Sequence, residues 1–421
     1  MMLSYFFIRL FTFPLAYLPL SWIHFLGNCL GSLAYALLPK YRKRTLSNLS
    51  LAKTLKLKDL KKSAKRSFQH LLITCLEYPK FAKIKNISKI AHTENPEVAT
   101  PFMKEGKGVI FFCGHQSNWE LLFIEGTKRM AGVAIGRPLK NRYLYRWIVS
   151  IREKYGGRMI TPKQTMKEGL RALRRGAFLG IVGDQALPES SYAFDFFGRL
   201  AWTSPAPAIL SHRSGAPIIV ATIRRKKSRY LIHYSDPIIP IPSAPLKEEI
   251  ERMMKKALEL LEEDIRKAPE QWLWQHNRWK QETAARVYYR YRHESILVIL
   301  DAAFDPHFLP IFKEIYPRAF LTLLAPDQME LPPVEMEIIR YRTQEERMIK
   351  DYRFKLVFNL TQDEKLKAHF MKLSVLEFLN LEDIKRAAAQ KDLHEEEFPL
   401  LLKAALLRGE SAPQEEGENA P

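Results

Sequence analysis

The 421-residue chain is expected to fold as an α/β protein in three parts: an N-terminal membrane helix, an α/β domain whose mixed sheet is flanked by helices, and a small C-terminal α/β domain. Three observations lead there. Between Arg9 and Lys40 there is no Lys, Arg, Asp or Glu, and the run is rich in Leu, Phe, Tyr and Trp. From residue 60 to 280, short apolar runs closed by polar turns alternate with longer stretches at helical period. After residue 282 a second set of short apolar runs begins. These shifts set the expected boundaries at 1–40 for an anchoring segment, 41–284 for the main domain and 285–408 for the small one. The tail 409–421, GESAPQEEGENAP, is acidic and poor in apolar residues, so it is expected to be disordered.

The first apolar run is long enough to cross about 30 Å of hydrocarbon as a helix. Pro14, Pro19, His24 and Asn28 interrupt it. A kinked span, a segment lying in the interface and a buried hairpin therefore all remain open. Lys40, Arg42, Lys43, Arg44, Lys53, Lys56 and Lys58 come next, before the first acidic residue, Asp59. That excess of positive charge puts the following domain on the cytoplasmic side of a membrane.

Residues 60–82 repeat apolar positions at helical spacing and carry many lysines. The segment 106–122, GKGVIFFCGHQSNWELL, follows. Its run 109–113 reads as a strand buried on both faces, and the polar turn His115 to Asn118 comes at once. On one continuous helix His115 and Glu120 would point about 140° apart. With Ser117 or Asn118 as the helix cap, Glu120 lies in the first turn and can fold back toward the imidazole. A neutral imidazole oriented by a carboxylate can take the proton of an alcohol, so no serine or cysteine nucleophile is needed. The same residues also suit an ordinary turn.

Residues 132–136 read as a second strand, ending in Arg137-Pro138. The stretch 142–155 is amphipathic, and Arg152 lies at the border of its apolar stripe, where a guanidinium can offer its fork to a site. A basic helix over 161–175 leads to a strand at 177–182 that ends in Gly183-Asp184-Gln185. Ligands of open α/β sheets gather at the carboxyl ends of strands, and Asp184 and His115 both stand at such ends. The aromatic stretch 192–198, YAFDFFG, suits a wall for an apolar slot or a piece of core. Strands at 216–223 and 230–234 form a hairpin with a basic tip. A long amphipathic helix over 246–267 stops at Pro269, and QWLWQHNRWK at 271–280 closes the domain.

A net charge of +20 and a pI near 9.7 call for an anionic partner. No nucleic-acid-binding motif is present, which leaves anionic lipid, acidic protein or phosphorylated substrate. Cys29, Cys75 and Cys113 are odd in number and set in apolar surroundings, so neither a disulfide framework nor a metal site is indicated.

The apolar N-terminus with its basic follow-on, the HQSNWE box at 115–120, Arg137-Pro138, Asp184-Gln185 and the PEQWLWQHNRWK close at 269–280 together resemble the late acyltransferases of lipid A biosynthesis, the lauroyl or myristoyl transferases related to glycerolipid acyltransferases. The likeness covers about residues 1–281. It implies that the 41–284 domain moves a fatty acyl chain, usually from acyl carrier protein, onto the hydroxyl of a 3-hydroxyacyl chain of a Kdo-bearing lipid A precursor. It implies no cofactor, action at the cytoplasmic face of a bacterial inner membrane, and membrane lipid as a further partner. His115 then falls on the catalytic histidine and Glu120 on the acidic partner of H-x4-D/E, orienting the ring. Arg152, Asp184, Arg137, Asn118 and Gln185 fall on positions expected to bind substrate, and amides after Asn118 are candidates for the oxyanion site. Many relatives carry an acidic residue directly after Asp-Gln. Here Ala186-Leu187-Pro188 intervenes before Glu189.

A second reading keeps the fold and changes the acceptor to a glycerophospholipid or phosphatidylinositol mannoside. A third is a non-enzymatic basic membrane protein that binds an anionic ligand. Residues 295–300, 319–324, 336–339 and 355–360 read as four buried strands of a parallel sheet, with a helical segment at 343–350. They carry no phosphate-binding glycine motif. Holding a partner, extending the crevice and a degenerate sugar-transferase half are the roles considered for that domain.

Overall fold

The structure, a computed structural model, describes residues 1–281, 286–388 and 398–408. The tail expected to be disordered, 409–421, lies outside the described residues. The chain divides into two compact units, Met1–Thr45 with Leu51–Arg278, and Leu46–Ser50 with Trp279–Pro421.

The first unit is built on a seven-stranded sheet. Its strands are β1 (Ala91–Thr93), β2 (Val109–Cys113), β3 (Gly132–Ile135), β4 (Arg158–Ile160), β5 (Phe178–Val182), β8 (Ile218–Lys226) and β9 (Arg229–Tyr234), in spatial order β1-β9-β8-β2-β5-β3-β4. A separate ribbon pairs β6 (Ala193–Phe196) with β7 (Arg199–Trp202). The sheet is mixed, because β8 and β9 form an antiparallel hairpin while β2 runs parallel to both β5 and β8. β2 is buried along its whole length, as a central strand with helices on both faces requires. Phe111 stacks on Tyr234 at 4.9 Å and meets Phe178 edge-on at 5.4 Å, so β2, β5 and β9 share one aromatic core. Gly132 leaves room for the Phe178 ring, which a Cβ there would approach to 2.1 Å.

The N-terminal expectation needs correction. The apolar run forms two helices, Met2–Thr12 and Leu20–Leu37, joined through the short turn Phe13–Ala16, and no described helix is long and apolar enough to cross a membrane. Pro14 and Pro19 supply the reason, since neither can donate a helical hydrogen bond. Helix Leu20–Leu37 buries Ile23, Gly27 and Gly31 and leaves Trp22, Phe25, Leu33 and Leu37 exposed; Phe6 and Phe11 are exposed on the helix before it.

One other element of this unit differs from expectation. The basic stretch 161–175 is not one helix: a tight turn, Pro162–Gln164, and a wide turn, Thr165–Gly169, precede the short helix Leu170–Arg174. Of the two readings of 192–198 the structure takes the core, with Phe197 and Gly198, both at positive φ, turning the stretch into the β6–β7 ribbon. Phe194, Phe196 and Phe197 are buried there, which makes the stretch core.

In the second unit β10 (Ser295–Ile299), β11 (Phe320–Pro326), β12 (Glu337–Tyr341), β13 (Leu356–Asn359) and β14 (Glu377–Asn380) form a parallel sheet in the order β12-β11-β10-β13-β14. β14 was not foreseen, and only Glu345–Arg347 of the expected helical segment 343–350 is helical. Lys355, buried, gives its ammonium to Glu294 and to Asn48 Oδ1 at 3.1 Å, which satisfies a charge that burial would otherwise make costly.

Candidate active site

β2 and β5 are neighbours in register, Cys113 opposite Val182, so their carboxyl ends deliver His115 and Asp184 to the same place. Asp184 Oδ1 lies 2.6 Å from His115 Nδ1, and Oδ2 accepts the His115 backbone N–H at 2.7 Å and the Trp272 indole N–H at 2.7 Å. Burial pushes the Asp184 carboxyl up; the His115 charge and these donors outweigh it and hold the group down at about 2. An ionised Asp184 can only accept, so Nδ1 carries the proton and Nε2 is left as the acceptor. Gln185 Nε2 lies 3.3 Å from that Nε2, and the Trp119 ring stands edge-on to the imidazole at 4.7 Å.

This geometry corrects the expected pairing. Glu120 does not orient His115; it accepts Arg152 Nε and Nη2 in a two-point bond, both at 2.6 Å. Glu120 is buried. Burial raises its pKa, and the Arg152 charge and hydrogen bonds, joined by the Tyr78 hydroxyl, carry the net shift downward, while the Arg152 guanidinium is shifted upward in return. The pair sits at the end of β3, where a Cβ on Gly136 would come within 3.3 Å of Arg152 Nη1.

The turn itself explains why Glu120 points away. Ser117 adopts φ 47°, in the left-handed region, and the helix begins only at Glu120 with Trp119 before it, rather than at a Ser117 or Asn118 cap. Asn118 instead donates to Glu77 at 2.6 Å. Leu121 N and Leu122 N, two of the amides considered for an oxyanion site, are spent on the Asn118 and Trp119 carbonyls. The closing segment clamps the turn from outside, with Ser117 N donating to Gln271 O and Leu273 N to His115 O. Arg137 follows Gly136 at that same end of β3 and is exposed.

Two neighbours escaped the sequence reading. Trp272 carries no titratable group and His276 no spacing signal; only their place in the QWLWQHNRWK close marked the segment. His276 Nε2 accepts Ala186 N–H at 3.2 Å, and burial followed by the charge of His115 holds its imidazole down at about 3. Cys113 is buried with its thiol pushed up by desolvation and then by Asp184 and Glu120, which leaves it no thiolate to use as a nucleophile. The site therefore offers an imidazole held by one carboxylate and suited to general-base work, beside a half-buried guanidinium on a buried carboxylate.

The profile of the bacterial lipid A biosynthesis acyltransferases matches residues 1–281. The chain belongs to that family. A search of curated proteins returned no match. Membership makes the protein an acyltransferase of lipid A biosynthesis, and His115, Glu120, Arg152 and Asp184 all lie inside the matched region.

Proposed function

We propose that the protein transfers a fatty acyl chain of the lauroyl or myristoyl class from acyl carrier protein to the hydroxyl of a 3-hydroxyacyl chain on a Kdo-bearing lipid A precursor. The reaction takes place at the cytoplasmic face of the inner membrane, where the exposed apolar residues of the helices Met2–Thr12 and Leu20–Leu37 lie in the interface rather than across it. The observation that carries the reading is the His115–Asp184 pair with Nε2 left as acceptor. His115 Nε2 takes the proton of the acceptor hydroxyl while Asp184 steadies the imidazolium. The oxygen attacks the thioester carbonyl, the tetrahedral intermediate expels the thiolate, and the Nε2 proton passes to the sulfur. Neither acyl-enzyme nor cofactor is needed. The Glu120–Arg152 pair orients the acceptor, with the exposed Arg137 and the Gln185 amide beside His115 as further contacts, while Asn118 acts through the turn it holds. Basic residues such as Lys40, Arg42 and Lys43 face its phosphates and the anionic leaflet.

The test is transfer from radiolabelled acyl carrier protein or coenzyme A thioesters to the Kdo-lipid A precursor, wild type beside His115→Ala. Transfer lost in the variant is expected, by about 10³-fold or more. A His115→Ala enzyme as active as wild type would sink the mechanism, and transfer to lysophospholipid alone would replace the acceptor.

A further inference from the structure

The turn between His115 and Glu120 is costly to hold. Ser117 adopts the left-handed region, which a side chain with a Cβ disfavours. The Ser117 hydroxyl, Asn118 Oδ1 and Gln116 Oε1 are buried with no hydrogen-bond partner among the described residues, each of them a desolvated group left uncompensated. Such a turn persists only where its surroundings impose it. Two of its ties come from one face of the helix Leu60–Lys83: Thr74 Oγ1 donates to the Ser117 carbonyl at 2.7 Å, and Glu77 accepts Asn118 Nδ2 at 2.6 Å.

Glu77 is fully buried. Besides Asn118, its carboxylate accepts the Tyr230 hydroxyl of β9 at 2.6 Å and lies 2.7 Å from His24 Nε2 on the apolar helix Leu20–Leu37. A carboxylate out of water is tolerable only when donors satisfy it, so loss of one donor is felt by the others. The contact between the two helices has no slack. A Cβ on Gly31 would lie 2.4 Å from Gln69 Cα, and one on Gly27 2.9 Å from Ile73 Cα. Any tilt of Leu20–Leu37 is thus passed to Leu60–Lys83, and with it to Thr74 and Glu77.

We infer that Glu77 is a positioning residue that ties the 115–120 turn to the apolar N-terminal helix, so that the placement of His115 follows the seating of that helix on lipid. The inference rests on the proposed acyl transfer and interfacial seating.

The full-length protein is compared as wild type, Glu77→Gln, His24→Leu and His24→Gln. In the acyl-transfer assay Glu77→Gln and His24→Leu are expected to lose about tenfold to a hundredfold in kcat, with KM for both substrates within about twofold, because a misplaced base costs rate rather than binding. His24→Gln, whose amide still donates to Glu77, is expected to regain most of that rate. Without substrate, vesicles of phosphatidylethanolamine and phosphatidylglycerol are expected to slow hydrogen exchange at 114–121 in wild type and not in His24→Leu. Unchanged kcat in His24→Leu with only a lowered Tm, or equal protection of 114–121 in wild type and His24→Leu, overturns the proposal. Should Glu77→Gln fail to fold, the His24 variants decide alone. A wild type with no acyl transfer defeats the catalytic reading, while the exchange comparison still decides the tie.

Discussion

Which carboxylate reaches His115 decides how the residue works. Sequence spacing favoured Glu120, because five residues is a distance that spacing can show. Asp184 is 69 residues away and arrives through the parallel pairing of β2 with β5. Both strand ends were legible, and with them a shared crevice; that Asp184 rather than Glu120 takes the ring was not, since nothing local encodes the register that sets β5 directly beside β2. Nor was the left-handed Ser117 legible, a conformation imposed by Thr74, Glu77 and Gln271 from elsewhere in the chain. The two pairs make separable predictions. Asp184→Asn should lower kcat by about 10³- to 10⁴-fold, because the amide must turn its oxygen to the His115 and Trp272 N–H donors and then presents its NH2 to Nδ1, which forces the proton onto Nε2. Glu120→Gln and Arg152→Gln should each cost about 10- to 10²-fold, and together little more than either alone, since they act as one unit. Steady-state kinetics of the single and double variants checks both statements; a Glu120→Gln loss as large as that of Asp184→Asn would return the orienting role to Glu120.

Elements were read well where period and punctuation agreed. The runs at 109–113 and 246–267 match β2 and the helix Leu246–Lys267 to the residue, because Gly, Pro and charged positions bound them clearly. At the apolar N-terminus hydropathy suggested a membrane helix while Pro14 and Pro19 spoke against a simple span, and the structure divides the run near them into two helices. The helix Leu60–Lys83 continues past Pro79 to a C-terminus that Lys154 closes, its ammonium donating to the carbonyls of Phe81 at 3.0 Å, Ala82 at 3.1 Å and Ile84. A cation there meets the negative end of the helix dipole and three carbonyls at once, although burial lowers its pKa. Lys154→Met should therefore lower unfolding free energy by about 1–2 kcal/mol in urea titrations. A change within about 0.3 kcal/mol would show that water replaces the ammonium without loss.

Over the whole molecule the charge of +20 makes acid a stress of two kinds, and they can be told apart. General repulsion among surface cations grows as carboxylates protonate, and salt screens it. Two half-buried imidazoles act differently. His70 Nδ1 accepts from Arg225 Nη2, and His276 Nε2 accepts from Ala186 N, so protonation at either nitrogen breaks the bond it serves. Desolvation, then neighbouring positive charge, holds His70 at about 2 and His276 at about 3, both below the ordinary histidine range near 6.5. As pH falls the unfolded chain binds these protons first. Their contribution is therefore complete above about pH 6.5 and is lost progressively toward pH 3, each group adding a slope of up to about 1.4 kcal/mol per pH unit. Asp184 adds nothing above about pH 4: with its folded pKa depressed to about 2, its contribution is intact there and is lost only as pH falls from about 4 through 2. Urea unfolding between pH 7 and 5 should thus show stability falling by about 1–3 kcal/mol per unit, nearly unchanged by 0.5 M salt, and His70→Gln or His276→Gln should each remove about half of the slope. A flat profile, or a slope that salt abolishes, would mean that the folded protein protonates these rings, and that surface repulsion rather than two imidazole acceptors sets its acid limit.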